Sequence, residues 1–263
     1  MKSMLFSLFA VGAFVYVCFC LYLYLFQRSF IYFPTAVAEG VTAEEVWIDN
    51  EQERIRVWRL HTPGSDAIIY FGGNAEDVSY NVREFRDWFP QHAVYLVNYR
   101  GYGGSSGSPD EAAFHSDAQA VYDFVAGKHA AVSLIGRSLG AAVAVHLATR
   151  RDVDRLALVT PFDSLRSLAS EFYPIFPTSL LLRDTYDAIG LAGRVSAPAL
   201  VLVAEHDEII PRQSSERLAN ALGGPHVIRF IECTGHNTIG ASPDYGRALR
   251  EFMNPQTGRA TGR

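Results

Sequence analysis

Short apolar stretches alternate with helical patterns along most of this 263-residue chain, and that alternation constrains the fold more than any other feature. The first two stretches alternate in polarity like a half-exposed antiparallel pair, whereas the later ones are continuously apolar, as in strands covered on both faces. Strands and helices in alternation predict a doubly wound, mostly parallel α/β sheet. The eight predicted strands are 46–49, 55–60, 67–71, 93–98, 132–135, 156–159, 200–204 and 227–231.

One connection between the predicted strands is much longer than an ordinary crossover. The segment between Val159 and Leu200 is rich in Phe, Tyr, Pro and Leu, so we predict a small helical cap at 161–198. The last residues, 255–263, are predicted to form a flexible tail. Helical patterns elsewhere cover 78–89, 110–126, 139–150, 213–222 and 243–252.

The N-terminus carries a long uncharged segment. No residue from Ser3 to Gln27 is charged, and the run 4–26 is nearly all apolar. About 20 helical residues cross the hydrocarbon layer of a membrane, so we predict a transmembrane anchor at 1–28. A cleaved signal peptide with its site at Ala36-Val37-Ala38 is the alternative, but the apolar run is longer than such a peptide needs. The flanking charges do not define which side of the membrane the rest occupies.

Composition assigns the remainder, 29–254, to one globular domain. Hydrophobic residues make up 49% of the chain and charged residues 19%, which is enough apolar material for a large core. The net charge is −5 and there is no run of Lys or Arg, so nucleic acid is not an expected partner. Since Cys18 and Cys20 lie in the apolar segment, Cys233 has no disulfide partner in the domain and is interpreted as a packing residue.

The motif Gly136-Arg137-Ser138-Leu139-Gly140 stands directly between a predicted strand and a predicted helix. G-x-S-x-G in this context is typical of a nucleophile elbow, whose strained turn lifts the serine hydroxyl above the sheet. The two glycines avoid Cβ clashes where strand and helix cross. A plain Gly-Ser loop is the alternative. The context favours Ser138 as a nucleophile.

A serine hydroxyl is a weak nucleophile until a base accepts its proton, and the base needs a carboxylate to hold its tautomer. Asp207 follows the seventh predicted strand, and His236 follows the eighth, which gives the order serine, acid, histidine. Of the eight histidines, His236 alone follows the last predicted strand. We predict Asp207 as the acid, His236 as the general base and Ser138 as the nucleophile, with the neighbouring carboxylates Glu205 and Glu208 as competitors of Asp207.

Such a site also needs hydrogen-bond donors for a developing oxyanion. These are typically the N–H after the nucleophile and another after the third strand. We predict the N–H groups of Leu139 and Asn74, with Gly73 as the alternative to Asn74 and a simple tight turn as the competing interpretation of that loop. A second glycine-rich loop, 99–107, lacks the signatures of a phosphate-binding loop and is interpreted as a structural turn.

On these motifs the chain resembles the α/β-hydrolase superfamily and, within it, the single-pass, membrane-anchored ABHD-type serine hydrolases. Relatives often carry a histidine where this chain has Gly72. The resemblance extends from Phe30 to the final helix and implies an α/β-hydrolase fold preceded by a transmembrane helix. The matching pieces are 28–34, Gly73-Asn74-Ala75, Tyr99-Arg100-Gly101-Tyr102-Gly103, Gly136 to Gly140, Thr160-Pro161-Phe162, His206-Asp207 and Gly235-His236.

The resemblance implies hydrolysis of acyl esters, thioesters or amides through an acyl-enzyme, without a metal or organic cofactor. An aromatic cap beside an anchor favours a lipid-like acyl substrate at a membrane surface. A serine peptidase or amidase is the enzymatic alternative. A catalytically silent scaffold that binds a ligand or partner is the alternative of another class, because a fold does not by itself define a function.

Overall fold

A computed structural model describes residues 1–60 and 66–254, and eight strands lie within these ranges. They are β1 Glu44–Asn50, β2 Glu53–Leu60, β3 Asp66–Phe71, β4 Ala93–Val97, β5 Ala131–Arg137, β6 Leu156–Val159, β7 Ala199–Ala204 and β8 His226–Ile231. The strands form one sheet in the order β1-β2-β4-β3-β5-β6-β7-β8. β2 is antiparallel to β1 and β4, and the other neighbours are parallel. The predicted doubly wound, mostly parallel sheet is confirmed, and the predicted tail 255–263 lies outside the described residues.

Helices precede the sheet and connect its strands. The helices of the described residues are α1 Lys2–Ile31, α2 Val82–Trp88, α3 Glu111–Ala126, α4 Leu139–Ala148, α5 Leu165–Phe172, α6 Thr178–Leu181, α7 Ala188–Ala192, α8 Arg212–Ala221 and α9 Pro243–Met253. The predicted helix at 78–89 begins as a 3-10 turn, Val78–Asn81, before α2. Three short helices, α5 to α7, occupy the long connection between β6 and β7 where the sequence predicts a cap.

The two faces of the central strands bury different side chains, because successive residues of a strand point to opposite sides. On β3, Ile69 and Phe71 belong to the core shared with α3, α4 and α8. Ile68 and Tyr70 belong to the core shared with α2 and α9. All four side chains are essentially fully buried. This coverage explains the continuously apolar sequence of the strand. Because β3, β5, β7 and β8 run parallel in the sheet, their carboxyl ends lie at the same edge of the sheet.

Helix α1 is long and apolar enough to cross a membrane. Its 30 residues span about 45 Å at the helical rise, against a hydrocarbon layer of about 30 Å. The predicted boundary at residue 28 falls inside α1, which continues to Ile31. The last turn is held by the cap, because Gln27 is buried, donates to the Leu181 carbonyl and accepts from the Arg183 N–H.

Two histidines stack between α3 and α4. The ring centroids of His115 and His146 are 3.7 Å apart and the ring planes differ by 6°. Burial is the main cause that lowers the pKa of His115 to about 3, with the charges of His146 and Arg150 acting in the same direction. Burial likewise lowers the pKa of His146 to about 4. Both rings are therefore neutral in the folded protein at neutral pH.

This pair predicts acid sensitivity of the fold. An unfolded histidine binds a proton near pH 6.5 while the folded pair stays neutral to about pH 4, so the unfolded chain binds more protons between these values. The free energy of unfolding should be constant with respect to this pair above pH 6.5 and fall on acidification, by up to about 1.4 kcal/mol per pH unit and ring. Urea unfolding in detergent at pH 7, 6 and 5 measures the slope.

The double variant His115→Leu/His146→Leu should show a shallower loss of stability on acidification than the parent. Ser108→Ala, at an exposed position without a titratable side chain, is the control and should leave the slope unchanged. Equal slopes in the parent and the double variant would contradict the assignment of acid sensitivity to the stacked rings.

Candidate active site

Ser138 forms the sharp turn that joins β5 to α4. Its backbone has φ 51° and ψ −112°, a region that residues with a Cβ rarely adopt and that costs conformational energy. The flanking glycines make the turn sterically feasible. A Cβ at Gly136 would lie 2.3 Å from the Gly140 carbonyl oxygen, and a Cβ at Gly140 would lie 2.1 Å from the Phe71 carbonyl oxygen. The motif therefore folds as a strained turn at the carboxyl end of β5.

The structure brings Ser138, His236 and Asp207 into one line of contacts. Ser138 Oγ lies 3.1 Å from His236 Nε2. His236 Nδ1 lies 2.9 Å from Asp207 Oδ2 and 3.1 Å from Asp207 Oδ1. The imidazole and the carboxylate are nearly buried, with 7% and 2% of their side-chain surfaces exposed. The arrangement can accept a proton from a serine hydroxyl and stabilise the resulting imidazolium.

Unlike its competitors Glu205 and Glu208, the predicted acid Asp207 is in contact with the imidazole. Its Oδ1 also accepts hydrogen bonds from the N–H groups of Ile209 and Ile210, at 3.0 and 2.7 Å, which fix the carboxylate. Glu208 instead accepts the backbone N–H of His236 at 3.1 Å. Glu205 accepts the backbone N–H of Cys233 at 2.8 Å. These two glutamates hold the loop that carries His236.

The loop after β3 runs beside the nucleophile, since a Cβ at Gly73 would lie 3.7 Å from Ser138 Cβ. The Gly73 N–H, the alternative oxyanion donor, already donates to Glu76 Oε2 at 2.6 Å. The Asn74 N–H donates to no other described residue. Leu139 is the first residue of α4, where a backbone N–H has no acceptor within the helix. The two residues whose N–H groups are the predicted donors, Asn74 and Leu139, line the same cavity as Ser138.

The side chain of Asn74 ties this loop to the end of α1, which the sequence did not reveal. Its Nδ2 donates to the Ile31 carbonyl at 2.5 Å. Its Oδ1 accepts from the Phe33 N–H at 3.2 Å and from the Tyr102 hydroxyl at 2.7 Å. All the hydrogen-bonding atoms of the carboxamide are therefore engaged, and they orient the loop relative to α1.

A second network that sequence reasoning missed joins three loops of the site. Glu76 accepts from the Tyr70 hydroxyl at 2.6 Å and from Arg137 Nη1 at 3.3 Å, and Arg137 Nη2 donates to the His236 carbonyl at 3.1 Å. Burial and the adjacent Glu76 raise the pKa of Tyr70 well above its usual value, which keeps the phenol a donor. Arg137 occupies a variable position of the motif, so only the folded arrangement discloses its contacts.

Gly72 adjoins the same network. A Cβ at this position would lie 2.7 Å from Val78 Cγ1 and 3.3 Å from Glu76 Cδ. The Gly72 carbonyl accepts from the Tyr99 hydroxyl at 2.8 Å. Val78 and Glu76 thus occupy the space that a side chain at residue 72 would need.

A cavity of about 1050 Å³ adjoins Ser138 and His236. Most of its lining is apolar and comes from two sources, the C-terminal half of α1 and the cap. Phe19, Leu23 and Phe30 contribute from α1, and Leu168, Phe172 and Phe176 contribute from the cap. The volume is at the upper end for a ligand pocket, so the site can enclose a large apolar group.

The mostly parallel sheet, the nucleophile elbow and the order of the contacting groups along the chain define an α/β hydrolase. Residues 60–196 match the model of the Alpha/beta hydrolase family. The chain belongs to this family and is a hydrolase, which confirms the predicted fold and the resemblance to ABHD-type hydrolases.

Several known proteins are similar to this chain. An uncharacterised protein of Mycobacterium tuberculosis strain H37Rv is 35% identical over 229 residues, which cover 80% of each chain. Lysophosphatidylserine lipase ABHD12 of Rattus norvegicus is 29% identical over 248 residues, which cover 81% of this chain and 62% of the lipase. The structure of the Pyrococcus furiosus esterase Pf2001 superposes with a TM-score of 0.70 at 14% identity, covering 85% of this chain and 98% of the esterase. The last similarity concerns the fold alone.

Proposed function

We propose that this protein is a membrane-anchored serine hydrolase that cleaves an acyl ester or thioester. The observation that carries the proposal is the line of contacts from Ser138 Oγ through the His236 imidazole to the Asp207 carboxylate, at 3.1 and 2.9 Å. The position of this line supports it, because ligands of α/β sheets bind outside the carboxyl ends of the strands.

In the first half of the reaction, His236 Nε2 accepts the hydroxyl proton as Ser138 Oγ attacks the substrate carbonyl carbon. The carbonyl oxygen becomes an oxyanion that the N–H groups of Leu139 and Asn74 stabilise. When the tetrahedral intermediate collapses, the bond to the leaving alcohol or thiol breaks and His236 returns the proton to it. The acyl group remains esterified to Ser138.

In the second half, His236 accepts a proton from water, and the resulting hydroxide attacks the acyl carbon. Collapse of the second tetrahedral intermediate releases the carboxylic acid and returns the proton to Ser138 Oγ. Asp207 acts throughout by accepting the Nδ1–H of His236, which holds the imidazole in the tautomer whose Nε2 is the base. Its two backbone donors at residues 209 and 210 keep the carboxylate in place.

The lining of the cavity supports an apolar acyl group over a peptide. A peptide in this cavity would lose hydration from its backbone amides and find few polar partners, which is costly. The similar rat protein is a lysophosphatidylserine lipase, which supports a lipid-like ester for this chain as well. The engagement of all three predicted groups supports a working enzyme over a silent scaffold.

Helix α1 is proposed to anchor the enzyme. Its apolar side chains are largely exposed along the first 26 residues, and a helix satisfies its own backbone hydrogen bonds in lipid. We accordingly propose an anchor at 1–28, a hydrolase domain at 29–254 and a cap insertion at 161–198.

A fluorophosphonate tests the nucleophile directly. The full-length protein in detergent should react covalently at Ser138, and mass spectrometry of the digest should place the adduct on the peptide that contains it. Ser138→Ala should abolish labelling, whereas Ser108→Ala, at an exposed serine outside the site, should label like the parent. An adduct on another residue would refute the nucleophile, and no adduct on a folded protein would favour the silent scaffold.

A further inference from the structure

The end of the cap exposes a group of large apolar side chains. We define the cap tip as residues 172–182, a stretch without a charged residue. Ile175 and Leu180 are 72% and 78% exposed, and Phe172 and Tyr173 are more than half exposed. Contiguous apolar surface of this kind marks a site of interaction with a protein or a membrane.

The cap tip lies against the membrane-spanning part of α1. The ring of Phe176 stacks on Tyr16 at 6.0 Å between centroids and lies 5.6 Å from the ring of Phe19. Tyr16 stands ten positions before Phe26, the last apolar residue of the predicted span, which corresponds to about 15 Å of helix. With α1 across a bilayer whose hydrocarbon layer is about 30 Å thick, the cap tip reaches well into that layer.

The backbone of the cap tip is suited to such a position. Irregular backbone is tolerated at membrane depth where protein groups satisfy its hydrogen bonds. The Tyr16 hydroxyl donates to the Ile175 carbonyl at 2.6 Å, and Gln27 donates to the Leu181 carbonyl at 2.9 Å. Both prolines of the cap tip lack an N–H altogether. Tyr16 and Gln27 are thus polar side chains of α1 that bind the backbone of the cap tip.

The first charged residues after the apolar segment of α1 and after the cap tip lie at a similar position along the helix axis. Arg28 ends the uncharged segment of α1 and binds Asp184 at 2.9 Å and Asp110 at 3.2 Å. Arg183 directly follows the cap tip and lies 5.4 Å from the ring centroid of Tyr24. Arginine beside tyrosine is typical of the boundary between hydrocarbon and water. The two elements therefore share one membrane boundary.

The cavity of the active site extends between these two elements. Phe19 and Leu23 on α1 and Phe176 on the cap tip line the same cavity as Ser138. A group that enters between α1 and the cap tip thus meets mainly apolar side chains before it reaches the nucleophile.

We propose that the cap tip inserts into the bilayer beside α1, and that the cavity between them receives the acyl chain of a lipid ester directly from the hydrocarbon layer. The inference rests on the proposed function, because it uses both the anchor and the acyl substrate. It assigns the bilayer as the partner of the exposed cap surface, and it assigns α1 a role in substrate binding besides attachment.

Quenching by brominated lipid tests the insertion. Ile175→Trp in the full-length protein adds a fluorophore at the cap tip, and Val227→Trp adds one on the exposed surface of β8 as the control. In phosphatidylcholine vesicles, brominated acyl chains should quench the added fluorescence of the first variant and not that of the second. If Ile175→Trp is not quenched while the protein resists an alkaline wash, the cap tip faces water or another protein and the proposal is wrong.

A charge at the cap tip tests the entry of substrate. The variant Ile175→Asp/Leu180→Asp changes side chains that do not line the cavity, so turnover of a short water-soluble ester should match the parent. Turnover of a long-chain ester embedded in vesicles should fall at least about tenfold, because carboxylates are disfavoured in hydrocarbon. The matched control Val227→Asp should leave both rates unchanged.

The short water-soluble ester and the long-chain ester in vesicles test the proposed enzyme and the proposed substrate entry separately. Unchanged vesicle turnover in the charged variant would overturn entry beside the cap tip while leaving the serine hydrolase intact. Absence of short-ester turnover in the parent would instead refute the proposed enzyme, and the quenching measurement would still decide the insertion.

Discussion

Ser138→Ala and His236→Ala are each expected to lower kcat/KM for a short ester by a factor on the order of 10⁴ to 10⁶. The reason is that the hydroxyl and the imidazole, 3.1 Å apart, act as one unit, so loss of either leaves the other without a function. The double variant should be little worse than either single variant. Steady-state rates on a chromogenic acetate or butyrate ester provide the measurement, with Ser108→Ala as the control.

The same series identifies the acid. Asp207→Asn should lower kcat/KM by several orders of magnitude, though less than loss of the nucleophile or base. The amide that replaces the carboxylate presents the wrong partner to His236 Nδ1. Glu205→Gln and Glu208→Gln should cost far less, since their carboxylates bind backbone N–H groups of the histidine loop. An Asp207→Asn enzyme with most of its activity, beside an inactive Glu208→Gln enzyme, would show that the assignment of the acid is wrong.

Removal of residues 1–27, which form most of the proposed anchor, is expected to release the protein from the membrane into solution. The full-length protein should resist high salt and alkaline carbonate, because 4–26 carry no charge, are nearly all apolar and form part of one continuous helix. The shortened protein keeps every proposed catalytic group and should hydrolyse short esters at a rate similar to that of the parent. The measurements are sedimentation after the wash and the rates of short-ester hydrolysis by the full-length and the shortened protein.

The shortened protein should lose far more activity on long-chain esters in vesicles, by at least about a hundredfold. It lacks the anchor that concentrates it at the membrane, and it lacks Phe19, Leu23 and Gln27 from the cavity wall. Circular dichroism should first establish that its fold is retained. A mature protein whose N-terminus lies near Glu39 would contradict the anchor and establish a cleaved signal peptide.

The sequence predicted those elements whose patterns are local. Continuous apolar runs predicted the central strands, because burial on both faces leaves no polar positions in the run. Chain order and position after strands singled out Ser138, Asp207 and His236, which the structure brings together, while their catalytic roles stay predictions. The sequence favoured Asp207 over Glu205 and Glu208 as the acid, but the backbone N–H groups that the two glutamates accept, at Cys233 and His236, depend on the folded loop.

Other features depend on contacts between distant segments. The bonds from Arg137 to Glu76 and to His236 join residues separated by 61 and 99 positions. The position of α1 against the cavity likewise arises from its contacts with the cap, whereas its sequence indicates only a membrane span. Hydrophobic patterning records how buried a residue is and leaves its partner undefined, so neither feature was predicted.

The carboxamide of Asn74 has a further consequence for how the enzyme meets its substrate. It bonds to Ile31 at the end of α1 and to Phe33 just beyond it, while its own backbone forms the loop beside Ser138. These bonds connect the loop beside Ser138 directly to the end of α1 and limit rotation of the domain relative to the helix. If α1 anchors the protein as proposed, these bonds hold Ser138 at a fixed height and orientation relative to the membrane. For the proposed lipid ester, the enzyme would then select among substrates by the depth of the carbonyl group in the bilayer.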